Sequence, residues 1–295
     1  MDKIKQIEAD IKSLKIQGAT NVALAVIDGL KEVMKTAIYP ADYHEFLFTA
    51  LQKLAQARPT EPLAVNALKF IFQAKQTDPT KYAEMAEKFK EILKSAKETM
   101  GQIGSQLIAD GGIYLTHCHS STVTNMFMEA YLQGKKFSVY ATETRPLYQG
   151  RITARELIGA GLTDVTMIID DAAASILLTK PVSAVFIGAD LLSSSGFVNK
   201  VGSLGITFAA NSKNIPVYVL SILLKYDHRP FKETIIERRE GVEIWENAPK
   251  GLKFHTPAFD FIPYFEQVRV INEMGILKGP EIMSQVLKKY PFIIS

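Results

Sequence analysis

Cys118 is the sole cysteine of the 295-residue chain and lies in the stretch Thr116-His117-Cys118-His119-Ser120-Ser121-Thr122. An apolar run, Ile113-Tyr114-Leu115, precedes it. After it Val123, Met126, Phe127, Ala130 and Tyr131 recur at helical spacing until Gly134. The spacing puts the thiol on a strand-to-helix turn. Backbone N–H groups at a helix start favour thiolate over thiol, so Cys118 could act as a base or a nucleophile. The plain alternative is a small buried hydrophobe. His117 and His119 flank it, but adjacent ligands do not match the spacings of zinc sites, and no metal is expected.

Other polar groups follow other apolar runs: Glu143-Thr144-Arg145-Pro146, Asp170-Asp171 and Gly188-Ala189-Asp190. In open α/β sheets, ligands bind outside the carboxyl ends of the strands, so these groups and Cys118 would converge on one crevice. Each has a structural alternative. Asp170 or Asp171 could cap a helix, Arg145 could pair with Glu143, and Asp190 could cap a turn before Ser193-Ser194-Ser195-Gly196. The chain has neither a GxGxxG fingerprint nor a P-loop, so nothing supports a dinucleotide or ATP site.

The elements that must position these residues fall into two halves. Residues 1–108 read as a helical domain. Ile4, Ile7, Ile11 and Leu14 form one stripe, and after Gly18 a second runs through Val22, Leu24, Ala25, Ile27 and Leu30. Further helices are expected over 41–57, 63–75 and 80–109, closed by Asp110-Gly111-Gly112. Residues 109–295 read as an α/β domain. Strands are expected at 113–116, 137–141, 165–169, 184–187 and 217–220, with helices near 120–133, 151–160, 171–179 and 202–212. This alternation predicts a Rossmann-like, doubly wound parallel sheet.

Composition excludes several function classes. The chain is 47% hydrophobic with a net charge of +3, and the scattered charges form no basic stripe for nucleic acid. Arg238-Arg239 and Lys135-Lys136 read as solvated surface. No apolar run has the length of a membrane span, roughly 20 residues. MDKIKQIEADIKSLK is charged and amphipathic, unlike a signal peptide. A single cysteine leaves no internal disulfide and suits a reducing, cytoplasmic setting. Leu204, Ile206 and Phe208, and the tail Tyr290-Pro291-Phe292-Ile293-Ile294, read either as a subunit interface or as core.

Taken together, several blocks resemble one superfamily: Thr116-His117-Cys118, Thr142-Glu143-Thr144-Arg145-Pro146 with Gln149-Gly150, Gly188-Ala189-Asp190, and Gly196-Phe197-Val198-Asn199-Lys200-Val201-Gly202. Ala57-Arg58-Pro59-Thr60 and Pro257-Ala258-Phe259-Asp260 with Pro263 extend the likeness over nearly the whole chain. The superfamily comprises initiation factor 2B regulatory subunits, methylthioribose-1-phosphate isomerases and archaeal-type ribose-1,5-bisphosphate isomerases, and these blocks are most similar to the last. The resemblance implies Cys118 as proton-abstracting base and Asp190 as proton donor. It implies Asn199 and Lys200 holding substrate oxygens, and Arg58 and Lys225 holding phosphates. Ser120, Ser121 and Thr122 fall where a helix start would cradle a phosphate, as helix N-termini do. It also implies at least a dimer, a homodimer or a hexamer built from dimers.

The implied chemistry is internally consistent. The anomeric oxygen of a sugar 1-phosphate is blocked, so the ring must open with acid help and C2 must lose a proton. The acid needs apolar surroundings, which Ala189, Leu191 and Leu192 offer beside Asp190. No cofactor is required. The sequence departs from the family at three places. Gln17-Gly18-Ala19-Thr20 stands where the isomerases have an Arg-Gly-Ala turn, and a neutral amide cannot replace a bidentate phosphate clamp. The segment from Asp190 to Asn199 is one residue shorter than the family pattern, and His119 replaces a common asparagine. The expected substrate is ribose 1,5-bisphosphate. Methylthioribose 1-phosphate is the alternative, and a non-catalytic subunit sensing a nucleotide such as AMP or a sugar phosphate is a third reading.

Overall fold

The computed structural model describes residues 2–35, 43–58, 60–76, 78, 80–230 and 236–294. Five helices come first: α1 (Asp2–Lys12), α2 (Ala19–Met34), α3 (Tyr43–Ala55), α4 (Leu63–Ile71) and α5 (Thr80–Gln106). Their apolar stripes face inward, with Val22, Val26, Ile27, Leu30, Leu47, Leu51 and Leu54 almost wholly buried. The helices expected over 63–75 and 80–109 end earlier, at Ile71 and Gln106. The start expected at residue 41 lies outside the described residues, as does Pro59.

The second half alternates strand and helix. It runs β1 (Ile113–Thr116), α6 (Ser121–Leu132), β2 (Ser138–Thr142), α7 (Gly150–Gly159), β3 (Val165–Ile168), α8 (Ala172–Thr179) and β4 (Ala184–Gly188). Then come β5 (Leu191–Leu192), β6 (Gly196–Lys200), α9 (Ser203–Ser212), β7 (Val217–Leu220), β8 (Phe259–Pro263), β9 (Val268–Asn272), β10 (Gly275–Leu277) and α10 (Ile282–Lys289). The main sheet has the order β10-β9-β7-β4-β1-β2-β3 and is parallel except for β10. The expected doubly wound sheet is therefore present, with all five expected strands in it. Two further strands, β9 and β10, extend it. A separate antiparallel sheet, β5-β6-β8, stands beside it. From β1 the chain adds β2 and β3 on one side, then returns to add β4, β7 and β9 on the other. The gap between the β1 and β4 carboxyl ends is thus the topological switch point, where such sheets bind ligands.

One hydrophobic core runs through both halves. Helix α5 packs on α6 at close range: a Cβ on Gly104 would lie 2.7 Å from the Met126 side chain. Tyr290 and Ile293 are buried, so the C-terminal tail is core, as is Ile206. Leu204 and Phe208 stay exposed on α9. Among the described residues, no helix is long and apolar enough to cross a membrane.

Candidate active site

Four residues, His117 to Ser120, carry the chain from β1 into α6. Thr116 and His117 are buried, and Cys118 takes the left-handed backbone region at φ 67°. Ser120 then caps α6, its Oγ accepting from the Val123 N–H at 3.5 Å. A left-handed φ is uncommon outside glycine and is held only by surrounding contacts. Those contacts are specific. The Cys118 N–H donates to Thr144 Oγ1 at 3.0 Å, and the Cys118 carbonyl accepts from Thr153 Oγ1 at 3.0 Å. Thr144 is itself left-handed, at φ 64°. Its own N–H and that of Arg145 donate to the two oxygens of Asp170, each at 2.7 Å.

The proton positions in this network can be assigned. His117 Nε2 lies 2.8 Å from the Val201 carbonyl, which only accepts, so Nε2 carries the hydrogen. Nδ1 then accepts from Thr142 Oγ1 at 2.7 Å, and Thr142 Oγ1 accepts from Thr144 Oγ1 at 3.2 Å. Burial holds the imidazole well below its usual pKa despite Asp170 nearby, so His117 is neutral. Both its ring nitrogens are taken by the protein. It pins β1 to β2 and to the β6–α9 turn.

The structure corrects three expectations here. Cys118 does not favour the thiolate: burial, aided by Asp190 and Asp170, pushes its thiol up to about 11, against the pull of Lys200. The helix start lies too far on, at Ser121, to outweigh this. Asp170 and Asp171 are not side-chain caps. Asp170 serves the Thr144 turn, and Asp171 makes no capping bond. Arg145 does not pair with Glu143 either; Arg151 does, at 3.2 Å, while Arg145 bonds Tyr148 and the Ile244 carbonyl.

Asp190 follows β4 directly, across the switch point from Cys118. Its N–H donates to the Val198 carbonyl, which ties it to the small sheet. Its neighbours Ala189, Leu191 and Leu192 are buried. Asp190 acts electrostatically on Cys118 on one side and on Lys225 and Arg58 on the other. Lys225, in a short turn after β7, donates from Nζ to the Ala189 carbonyl at 2.6 Å. Burial lowers its pKa, with Asp190 and Glu61 opposing. Lys200 is the cation acting on Cys118, and its Nζ sits 4.8 Å from the Phe259 ring centre. Asn199, its neighbour on β6, donates from Nδ2 to Ser203 Oγ at 2.9 Å.

Arg58 is bound by carboxylates. Its Nε donates to Glu237 at 2.7 Å and its Nη2 lies 2.9 Å from Glu61. Thr60 Oγ1 shares the same Glu237 oxygen at 2.7 Å. The sequence reading missed Glu61 and Glu237. Glu61 had a local signal, an acid three residues after Arg58; Glu237 is 179 residues away and had none. The structure thus brings Cys118, Asp190, Lys200, Lys225 and Arg58 into one electrostatic neighbourhood. Ser120, Ser121 and Thr122 begin α6 beside Cys118. Gln17, Gly18, Ala19 and Thr20 form the turn into α2, and their bonds are local: Asn21 Nδ2 to the Gln17 carbonyl at 3.1 Å and the Val22 N–H to the Gly18 carbonyl.

Known proteins resemble this chain in sequence and fold. The chain is 31% identical to the ribose 1,5-bisphosphate isomerase of Methanocaldococcus jannaschii, over 98% of this chain and 96% of that one. It is 32% identical to the methylthioribose-1-phosphate isomerase of Heliobacterium modesticaldum, over 92% and 86%. A crystal structure described as the translation initiation factor eIF-2B of Pyrococcus horikoshii superposes with a TM-score of 0.85 at 24% identity, covering 95% of this chain and 98% of that one, and shows the same fold. Residues 15–279 match the Initiation factor 2 subunit family. With that match and these full-length relatives, the chain belongs to the Initiation factor 2 subunit family.

Proposed function

We propose that the chain is an aldose–ketose isomerase of a sugar 1-phosphate, and that its substrate is ribose 1,5-bisphosphate, converted to ribulose 1,5-bisphosphate. The observation that supports this best is the pairing of Cys118 and Asp190 across the β1/β4 switch point, with Lys200 on one side and Lys225 and Arg58 on the other. In this reading the proton of Asp190 goes to the ring oxygen as the bond from that oxygen to C1 breaks. Cys118 sulfur takes the C2 proton, and the C2–H electron pair becomes the C1–C2 double bond. The sulfur then returns its proton to C1, the 2-hydroxyl proton passes to Asp190, and C2 becomes a carbonyl. Both groups end as they began.

The cycle needs thiolate and carboxylic acid together. The resting protein keeps the proton on sulfur, because burial disfavours the thiolate. Lys200 opposes that burial by stabilising the thiolate that the cycle requires. Arg58, Lys225 and the α6 start with Ser120, Ser121 and Thr122 hold the phosphates, and Asn199 and Lys200 the sugar oxygens. No cofactor enters these steps. The exposed Leu204 and Phe208 on α9 fit a subunit contact of a homodimer or of a hexamer built from dimers.

A second reading takes methylthioribose 1-phosphate as substrate. It is supported by the 32% identity to the methylthioribose-1-phosphate isomerase of Heliobacterium modesticaldum, whereas Gln17, neutral and exposed, favours a non-catalytic sensing role. Phosphorus NMR of the protein incubated with each sugar phosphate separates the readings. Conversion of ribose 1,5-bisphosphate is expected. Conversion of the methylthio sugar alone would select the second reading, and turnover of neither would return the chain to a non-catalytic sensing role.

A further inference from the structure

Five charged groups meet behind Asp190: Arg58, Glu61, Glu237, Lys225 and Asp190 itself. Fully ionised, they make three negative charges against two positive ones, so the cluster is one cation short. Glu61 is the deepest carboxyl group, 2% exposed. One of its oxygens lies 2.9 Å from Arg58 Nη2, and the other, Oε2, is buried without a protein partner. Arg58 Nη1 is likewise buried and unpartnered. A buried carboxylate oxygen with no donor is costly, whereas an uncharged carboxyl group is far less so. A cluster short of a cation therefore keeps one proton, and the position of Glu61 makes it the holder.

We propose that Glu61 is a positioning residue whose charge state decides whether Arg58 and Lys225 are open to a substrate phosphate. Uncharged, it leaves Arg58 with Glu237 alone and Lys225 facing only Asp190. Ionised, it claims both cations and competes with phosphate. This rests on the reading of Arg58 and Lys225 as phosphate holders. Burial is the main force that pushes the Glu61 carboxyl up to about 7, with Asp190 and Glu237 adding and Arg58 and Lys225 opposing. The switch therefore falls in the working range of a neutral-pH enzyme.

Other charged groups line the cavity of about 400 Å³ that Arg58 and Glu61 border. Lys69 from α4 donates to the Ile293 carbonyl at 2.8 Å. Asp227 pairs with Arg229 at 2.6 Å. His228 is exposed. Of these, His228 is the group that needs a control.

The test measures kcat and KM from pH 6 to 9 for the wild type, Glu61→Gln, Glu237→Gln and His228→Asn. A binding form reduced to about a tenth at pH 8 raises the wild-type KM about tenfold over its pH 6 value, beyond any rise in Glu61→Gln. Glu237→Gln, with one negative charge fewer, begins its KM rise at lower pH, and His228→Asn follows the wild type. Parallel KM profiles in wild type and Glu61→Gln, or a rise lost in His228→Asn, overturn the proposal. If Glu61→Gln does not fold, the Glu237→Gln profile decides, and an unshifted rise overturns it. If the wild type turns over no sugar phosphate, the functional reading fails separately. Calorimetry with inorganic sulfate then tests the switch: weakening between pH 6 and 8 in the wild type but not in Glu61→Gln supports it, and equal behaviour overturns it.

Discussion

Cys118 in the resting protein is a thiol with a carboxylate-rich flank, so its role depends on where one proton sits rather than on a standing thiolate. Cys118→Ser keeps the shape but gives a far weaker acid. Asp190→Asn keeps the hydrogen-bonding outline but has no proton to give. Each should lower turnover by at least ~10²-fold, the usual contribution of a positioned acid or base. The two act on one reaction coordinate, so the double variant should be little worse than either alone. Initial rates followed by phosphorus NMR, with circular dichroism to verify folding, check this. Full activity in both single variants would remove the pair from the mechanism, and loss of folding in Cys118→Ser would favour the buried-hydrophobe reading.

At the scale of elements, the β2–α7 connection holds the Cys118 turn, and Gly150 lets it do so. A Cβ at Gly150 would lie 1.7 Å from the Thr142 backbone carbonyl and 3.1 Å from Thr144 Oγ1. Backbone cannot yield as a flexible side-chain end can, so Gly150→Ala must shift the whole turn. Overpacking of this kind costs ~1–3 kcal/mol, occasionally more. The variant should show a lower urea midpoint together with loss of turnover; an unchanged midpoint would mean that α7 moves freely. Such positions were only partly legible in the sequence. The parallel strands stood out because each is a continuous apolar run beside a helical pattern, as Ala184-Val185-Phe186-Ile187 is. The small sheet did not. β5 is two residues long, β6 was read as a family motif, and β8 ends in proline and pairs across some sixty residues. β9, Val268–Asn272, has a readable run of branched residues but lies past the last βα alternation. Cys118 and Asp190 were visible as strand ends. The threonine–histidine network that orients Cys118 was not, because side-chain bonds between strands leave no local pattern.

For the molecule as a whole, two buried titrating groups act on stability in opposite senses. His117 is held below its usual pKa of 6.5 by burial. Its stabilising neutral form is complete above 6.5 and is lost as pH falls through the folded value. Glu61 is raised from 4.5 to about 7. Its contribution is complete below 4.5 and is lost as pH rises through about 7. Between these limits, 4.5 and about 7, the slopes oppose wherever both act, so below 6.5 the wild-type urea midpoint should vary less with pH than that of Glu61→Gln. Glu61→Gln removes the falling term, and its midpoint should rise with pH across the lower part of that window. Urea titrations at half-unit pH steps test this, and parallel curves for the two proteins would sink it.

The left-handed backbone at Cys118 has a consequence for anyone who evolves this protein in the laboratory. Glycine is the residue that fits φ 67° most comfortably, and a non-glycine residue held there costs of order 1–3 kcal/mol. A library screened for heat tolerance alone is therefore drawn toward glycine at position 118. Its winners would gain robustness by discarding the sulfur. A screen meant to harden the catalyst must score turnover in every round, because at this position thermal robustness and activity select opposite residues.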